Sequence, residues 1–199
     1  LEFAEKISKV GTQPIIGTQI NFKYGDCIGL LPLFALNEEG YKRIIKLSSI
    51  SFLENDELSD PHVDFKELLE DNTGVAIFSG TIFGLFGELF NKGKFSELLD
   101  LYKKLKLNFG DRFYIEIQRH NDQNESGFEK FNLNKSLELE IPIIATNEVF
   151  YLDKDMHEAH DVLICIGNKT YVNDKSRIKL SNEHYFKTNS EMTELFADL

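Results

Sequence analysis

The sequence is poor in cysteine and contains no tryptophan. Its two cysteines, Cys27 and Cys165, are isolated and form no CxxC pattern. Two such thiols in a chain of 199 residues favour a protein of the reducing cytosol over a disulfide-stabilised secreted protein, although a disulfide between them stays an open alternative. The absence of tryptophan beside 17 phenylalanines indicates compositional bias rather than a functional signal.

The chain also lacks an apolar run long enough to cross a bilayer, and its first ten residues carry charges that are typical of a helix rather than of a signal peptide. We therefore expect a cytoplasmic protein with no membrane partner. Leu1, Ala4, Ile7 and Val10 recur at helical spacing, and Gly11 stands where a helix would end. Because a natural N-terminus rarely begins within a helix, we expect a piece of a longer protein.

Positive charge is scarce, with 22 Lys and Arg against 33 Asp and Glu and a formal net charge of −11. Nucleic-acid affinity depends largely on Lys and Arg that neutralise phosphates, so the chain is a poor candidate for a main DNA-binding surface. The densest basic cluster is Lys103, Lys104 and Lys106, near the end of a predicted helix. The simpler explanation is that these lysines solvate the helix and complement its dipole. A phosphate contact is the alternative.

Apolar patterning predicts strands and helices that alternate along a single domain. Strands are predicted over residues 13–22, 28–36, 74–78, 113–117 and 141–146. The first two are expected to pair across Lys23 to Cys27, and those over 74–78 and 141–146 are expected to be buried. Helices are predicted over 65–69, 83–90, 95–105, 128–139 and 156–165, with further helices capped by Asn37 and by Thr188 with Glu191. The polar stretch from Ser48 to Asp60 is expected to form a loop with a turn or two of helix. The alternation is typical of an α/β fold with parallel strands.

Functional sites of parallel α/β folds lie at the C-terminal ends of strands, here after Ile20, Phe78 and Ala145. Near these places the glycines of SGTIFGLFG (Gly80, Gly84 and Gly87) suggest either a phosphate cradle or close packing. Packing is favoured, because the P-loop Lys-Ser/Thr pair and dinucleotide-binding spacing are absent. Phe83, Phe86 and Phe90 share helical spacing and are expected in the core; if exposed, they would mark a partner surface.

The remaining polar residues give weaker signals. His157 and His160 share one face of a predicted helix, between Asp153, Asp155 and Asp161, and suggest either a metal site or a polar helix start. The helix start is favoured. His62, His120 and His184 lie in polar surroundings and are expected to be exposed. Nothing in the sequence brings Asp111, Glu116 and Glu148 together as an acid–base pair, and no Ser-His-Asp or Cys-His arrangement stands out.

Several short motifs follow one another along the chain. In order they are PIIGTQI, LNEEGY, SGTIFG, DRFYIEIQRH, IPIIATNEVFY, EAHDVLICIGNKTYVND and ELFADL. Their order and spacing resemble the PHP (polymerase and histidinol phosphatase) domain of bacterial DNA polymerase III alpha subunits. The ATNEVFY, EAHD and ELFAD motifs are specific when they occur together, whereas each alone is a weak signal.

The resemblance implies an α/β fold, a distorted (βα)7-barrel-like PHP domain. The H-x-H motif of the family's first strand and the D-H-G motif of its second are absent from this sequence. Because residues 1–10 resemble the helix after that second strand, we expect the chain to lack its first two strand–helix units. Residues 1–187 are expected to form the partial PHP domain, and residues 188–199 to begin the linker or helix toward the polymerase palm.

The metal-ligand positions of the family are altered in this sequence. Gln19 stands where the family has Glu, Leu30 where it has His, Thr81 where Cys or His is common, and Phe150 where it has His; Glu148 alone keeps a carboxylate. Amide, alkyl and phenyl groups are poor replacements for the His, Cys, Asp and Glu ligands of zinc or manganese. We therefore expect no catalytic, cofactor-binding or metal-binding residues in this segment.

The resemblance thus implies a scaffold and interaction domain of a replicative DNA-directed DNA polymerase, a nucleotidyltransferase whose magnesium ions bind in a palm outside this segment. The expected partners are the rest of the alpha subunit and the proofreading exonuclease subunit, with DNA reached only through the holoenzyme. One alternative is a zinc- or manganese-dependent phosphoesterase or 3′–5′ exonuclease with a rearranged site near Glu148, His157 and His160. Another is a stand-alone α/β binding module. Missing strands would also make the isolated chain marginally stable or prone to aggregate.

Overall fold

A computed structural model describes residues 2–55, 59–177 and 179–199. Its helices are α1 (Glu2–Lys9), α2 (Glu38–Leu53), α3 (Phe65–Glu70), α4 (Leu85–Asn91), α5 (Phe95–Phe109), α6 (Glu125–Leu139), α7 (His157–Gly167) and α8 (Asn189–Leu195). Its strands are β1 (Gly17–Tyr24), β2 (Cys27–Ala35), β3 (Val63–Asp64), β4 (Val75–Phe78), β5 (Phe113–Ile117) and β6 (Ile143–Ala145). None of the helices in these ranges has the length and apolar character that a bilayer crossing requires.

The strands form a mixed sheet in the order β3-β1-β2-β4-β5-β6. β1 is parallel to β3 and β4 is parallel to β5, whereas β2 is antiparallel to both β1 and β4. The α/β class is confirmed, but the expectation of parallel strands is wrong for β2. The physical reason is the connection Gly25–Asp26, where Gly25 has a φ of 61°. So short a connection joins antiparallel strands, because a parallel pair needs a long crossover.

Local sequence signals define the ends of α2 and α8. The side chain of Asn37 accepts a hydrogen bond from the backbone N–H of Gly40, and Thr188 and Glu191 form a reciprocal capping box. Each cap satisfies N–H groups that have no partner within the helix. Both predicted caps are confirmed.

Helix α2 is longer than the sequence predicted, since it extends to Leu53 through the first part of the expected loop. The hydroxyl of Ser49 donates to the carbonyl of Ile45 at 2.9 Å, and that of Ser51 to the carbonyl of Ser48 at 2.7 Å. Serine hydroxyls that bond to preceding carbonyls are accommodated within a helix, so this polar stretch does not end it. Residues 56–58 of the expected loop lie outside the described ranges.

One compact unit comprises Leu1–Glu116 and Lys135–Ile143. Its core contains β2, β4 and the buried faces of α4 and α5, where the rings of Phe86 and Tyr102 meet edge to face with centroids 4.6 Å apart. Phe86 is fully buried, as predicted, but Phe83 is 60% exposed. Phe83 was expected in the core because of its helical spacing, yet α4 begins only at Leu85, so this spacing does not apply.

The second compact unit comprises Ile117–Asn134 and Ile144–Leu199. Its interior contains several buried polar side chains in addition to apolar ones; the polar ones are His120, Asn132, Asp161, His184 and Lys187. The strand predicted over residues 141–146 is confirmed only as the short β6, and the expectation that it is buried is wrong. Ile143 is 37% exposed and Ala145 is exposed as well.

Candidate metal centre

Two histidines that the sequence placed on the surface are among the most buried residues of the second unit. The exposed fractions of His120 and His184 are 1% and 0%, so the prediction of exposure is wrong for both. His62, in contrast, is half-buried, and its Nδ1 lies 2.8 Å from the carbonyl oxygen of Asp60. Polar neighbours in the sequence, RHNDQNES and SNEHYF, misled the prediction, because burial here depends on contacts between distant segments.

The loop after β5 positions the first of these histidines. Asn121 and Asn124 have positive φ angles of 61° and 66°, a conformation that asparagine tolerates better than most residues. The Glu125 carboxylate accepts hydrogen bonds from the backbone N–H groups of His120 at 2.7 Å and of Asp122 at 3.4 Å. Glu125 thereby closes the loop and turns Asp122 toward the same interior as His120.

His120, Asp122 and His184, hereafter the His–Asp cluster, have ligand atoms that all lie within 4.8 Å of one another. The two imidazole rings stack with centroids 4.0 Å apart and an interplanar angle of 3°. Nε2 of His184 lies 3.3 Å from Oδ2 of Asp122. Among the described residues, no second group of three His, Cys, Asp or Glu side chains converges in this way.

Both histidines of the cluster have contacts at both ring nitrogens. Nε2 of His120 lies 3.2 Å from the backbone nitrogen of Glu148 and 3.1 Å from Oδ1 of Asn147, and its Nδ1 lies 3.3 Å from the Glu125 carboxylate. His184 faces two acceptors, the Glu148 carbonyl at Nδ1 and Asp122 at Nε2, so full hydrogen bonding requires protons on both nitrogens. The hydrogen bond from His184 holds the pKa of Asp122 below its ordinary value.

A buried lysine lies beside the cluster. Nζ of Lys187 is 3.2 Å from Oδ1 of Asn147, which in turn is 3.1 Å from Nε2 of His120. Burial lowers the pKa of Lys187, although the Glu183 carboxylate, 3.6 Å from Nζ, opposes that shift. The carboxylates of Asp122 and Glu125 therefore face the imidazoles of His184 and His120, and the Glu183 carboxylate lies next to Lys187.

The family ligand positions in the first unit carry groups with other roles. Gln19 is exposed on β1 opposite Pro32, and Leu30 is half-buried on β2 opposite Asn21. The hydroxyl of Thr81 accepts the N–H of Phe83 at 3.1 Å. Ile20 lies inside β1, which continues to Tyr24, so the expected strand end after Ile20 is wrong. β4 and β6 do end at Phe78 and Ala145, as predicted.

The two family positions in the second unit border the His–Asp cluster. The backbone N–H and C=O of Glu148 bond to His120 and His184 respectively, as described above. Phe150, at the position where the family has His, is 45% exposed and stacks on His160 with centroids 5.2 Å apart. The phenyl ring of Phe150 packs against the imidazole of His160 and has no atom that could coordinate a metal ion.

His157 and His160 each have a structural contact, and the structure does not bring them together with Glu148 as a converging group of ligands. Nε2 of His157 lies 3.1 Å from the carbonyl oxygen of Leu180, while His160 packs against Phe150 and also against Tyr151, with centroids 5.3 Å apart. These contacts favour packing roles at the start of α7 over the rearranged metal site.

The glycine-rich run after β4 packs closely against backbone. A Cβ atom on Gly84 would lie 2.8 Å from the Leu30 carbonyl oxygen, and one on Gly87 would lie 1.9 Å from that of Ile82. These distances leave no room for a side chain and support the packing interpretation rather than a phosphate cradle.

The cysteines and the basic cluster also have structural explanations. Cys27 and Cys165 are free and buried. Lys104 pairs with Asp100 at 2.8 Å, and Lys106 donates to the Glu140 carbonyl at 2.7 Å. At least two of the three clustered lysines thus contact the protein itself, in agreement with the interpretation that they serve the helix end.

A family model described as PHP domain matches residues 1–120, and the chain belongs to this family. The match ends at His120, so the rest of the second unit, including Asp122 and His184, lies beyond the part that the family model covers.

Similarity to individual proteins extends over the whole chain. It is 39% identical to the DNA polymerase III subunit alpha of Rickettsia conorii, 34% to that of Caulobacter vibrioides and 30% to that of Vibrio cholerae, each over 100% of this chain. The chain spans only 17–18% of the length of these relatives.

Proposed function

We propose that this chain is the PHP-domain segment of a replicative DNA polymerase III alpha subunit and serves there as a scaffold and interaction domain. The observation that carries the proposal is the similarity over the entire chain to proteins named DNA polymerase III subunit alpha. In this proposal the parent protein is a DNA-directed DNA polymerase, and its magnesium-binding palm lies outside the segment. The mixed sheet is then part of a distorted barrel.

The residues at the family ligand positions support a role without hydrolysis. A water-activating metal site needs several imidazole, thiolate or carboxylate ligands around each ion. Gln19, Leu30 and Phe150 supply neutral amide, alkyl and phenyl groups instead. The proposed partners are the rest of the alpha subunit and the proofreading exonuclease subunit. A net charge of −11 agrees with DNA contacts made only through the holoenzyme.

A metal-dependent phosphoesterase or 3′–5′ exonuclease is the second candidate. The observation that favours it is the His–Asp cluster, whose nitrogen and oxygen atoms are ligands suited to zinc or manganese. Its residues differ from those that the sequence suggested, Glu148, His157 and His160. The burial of both histidines weighs against it, because a catalytic ion needs an open coordination position for water or substrate.

Purification of the protein from its source cells tests the polymerase proposal. Antibodies raised against this chain are expected to isolate a polypeptide several times longer than 199 residues. The isolated protein should extend a primed DNA template when magnesium and deoxynucleotides are present, whereas material bound by pre-immune antibodies should not. A short polypeptide without template-dependent synthesis would exclude the proposal.

A hydrolysis assay separates the scaffold from the hydrolase. The purified chain is incubated with manganese or zinc and with either single-stranded DNA or p-nitrophenyl phosphate. We expect no product above that formed by the metal salt alone. Metal-dependent hydrolysis by the chain that disappears in the variant His184→Ala would establish the second candidate instead.

A further inference from the structure

We propose that the His–Asp cluster holds one zinc ion that stabilises the second unit. This site is separate from the family ligand positions and does not depend on membership of a polymerase.

The donor set and its spacing suit zinc. Imidazole nitrogen and carboxylate oxygen are common zinc ligands, at about 2.0–2.2 Å from the ion. Two ligands of a tetrahedral ion at that distance lie roughly 3.4 Å apart. Nε2 of His184 and Oδ2 of Asp122 are already 3.3 Å apart. Nε2 of His120 is the third donor, and Oδ1 of Asn147, 3.1 Å from it, is the nearest neutral oxygen for a fourth position.

Both histidines have the outer hydrogen bonds that zinc ligands usually have. A metal-binding imidazole almost always donates its other N–H to a carboxylate or a backbone carbonyl, which orients the ring. Nδ1 of His120 faces the Glu125 carboxylate at 3.3 Å, and Nδ1 of His184 faces the Glu148 carbonyl at 3.2 Å. Each Nε2 atom is then the one left for the ion.

Zinc binding requires a small rearrangement of one ring. Imidazole lone pairs lie in the ring plane, and the two rings are stacked almost parallel, so they do not yet point to a common position. His120 must tilt out of the stack and exchange its hydrogen bond from the Glu148 N–H for the zinc. Nε2 of His184 must exchange its contact with Asp122 for the zinc, which then lies between the two side chains.

Burial indicates a structural rather than a catalytic ion. The exposed side-chain fractions of His120 and His184 are both 1%, and that of Asp122 is 8%. A closed site of this kind supplies no coordination position for a substrate, whereas its binding free energy adds to the stability of the folded state. The ion would connect residues that are 62 positions apart in the sequence, Asp122 and His184.

Zinc retention by the full 199-residue chain tests the site. The chain is treated with a chelator, mixed with zinc, desalted and examined by native mass spectrometry, and its thermal unfolding is followed with and without zinc. We expect one retained zinc ion and a higher unfolding midpoint with zinc. Cobalt in place of zinc should give the visible absorption spectrum of a tetrahedral site.

Single substitutions assign the ligands. Asp122→Asn and His184→Gln should lose stoichiometric zinc and the cobalt spectrum, and the outer-sphere variant Glu125→Gln should bind zinc about 10- to 100-fold more weakly. The control His62→Gln should bind zinc as the unaltered chain does. Circular dichroism verifies that each variant is folded, and the near-isosteric Asp122→Asn is decisive if His184→Gln does not fold.

Two results would overturn the proposal. A folded, unaltered chain that retains no zinc would mean that the cluster is a hydrogen-bonded network only. Zinc that is lost in Glu148→Gln but retained at full affinity by Asp122→Asn would place the ion at the remaining family position instead.

Discussion

At the scale of single residues, one buried ion pair lowers the pKa of a carboxyl group. The Asp161 carboxylate binds the Arg177 guanidinium through two contacts, of 2.5 Å and 2.7 Å. Arg177 also donates from Nε to the Val172 carbonyl at 3.1 Å. Its ion pair with Asp161 connects α7 with the segment after it. The hydrogen bonds that Arg177 donates to the Asp161 carboxylate lower the pKa of Asp161 from its ordinary value of 3.8.

From the Asp161–Arg177 pair we predict how the stability of the folded chain depends on pH. A carboxyl whose pKa is lower in the folded than in the unfolded state stabilises the fold above the unfolded pKa, and this contribution is lost as the pH falls through the folded pKa. Asp161→Asn should therefore lower the thermal midpoint by several degrees at pH 7. The difference from the unaltered chain should shrink as the pH falls from 3.8 toward more acidic values.

Thermal unfolding between pH 7 and acidic pH measures this effect. The matched control is Asp153→Asn, which removes the same charge from an exposed position at the start of the same region. A loss of stability that is equal in the two variants, or independent of pH, would contradict the assignment to the Asp161–Arg177 pair.

At the scale of elements, the start of α4 at Leu85 rather than at residue 83 makes two nearby phenylalanines differ in burial. Phe86 lies within α4, is fully buried and contacts both Tyr102 and Phe113, with ring centroids 4.6 Å and 6.1 Å away. Phe83 precedes α4 and is 60% exposed. Because the two side chains are identical, the effects of removing them can be compared between a buried and an exposed position.

Truncation of the two rings should have very different costs. Phe86→Ala removes a buried ring and leaves a cavity, so we expect the free energy of unfolding to fall by about 3–5 kcal/mol. Phe83→Ala should change it by less than about 0.5 kcal/mol, as is usual for surface substitutions. Urea unfolding followed by circular dichroism measures both. Similar losses in the two variants would mean that α4 begins earlier than described.

At the scale of the whole molecule, the chain exposes apolar side chains on one helix of the second unit. Leu163 and Ile166 on α7 are 62% and 70% exposed, and Val162 is 44% exposed. Neighbouring exposed apolar side chains on a soluble protein mark a binding surface or a tendency to associate. The sequence indicated a chain prone to associate, and the exposed face of α7 supports the same expectation independently.

We predict that the isolated chain self-associates through this face. The double variant Leu163→Glu with Ile166→Glu should shift the sedimentation profile toward the monomer, because charge on the face opposes its burial. The control, Leu107→Glu with Leu137→Glu, adds the same charge at positions that are 84% and 82% exposed on α5 and α6. A monomeric unaltered chain, or an equal shift in both double variants, would contradict the prediction.

Much of the fold could be predicted from the sequence because it depends on neighbours in the chain. The caps at Asn37 and Thr188 act within a single helical turn, and the hairpin of β1 and β2 depends on its two-residue connection. The motifs that resembled PHP domains are local as well, and the family they indicated is confirmed. The helix–strand alternation did not reveal the antiparallel pairing of β2 with β4, because strand order depends on long-range packing.

The His–Asp cluster was decided only by the tertiary structure. His120 and His184 each lie in a polar stretch, and neither stretch has a ligand spacing that predicts burial. They stack because distant segments meet, and the same contacts bring Asp122 within 3.3 Å of His184 across 62 positions of sequence. The sequence by itself determined which side chains could act as ligands. Their burial and their convergence on one place were decided by the tertiary structure, because they depend on the free energy of packing summed over the whole fold.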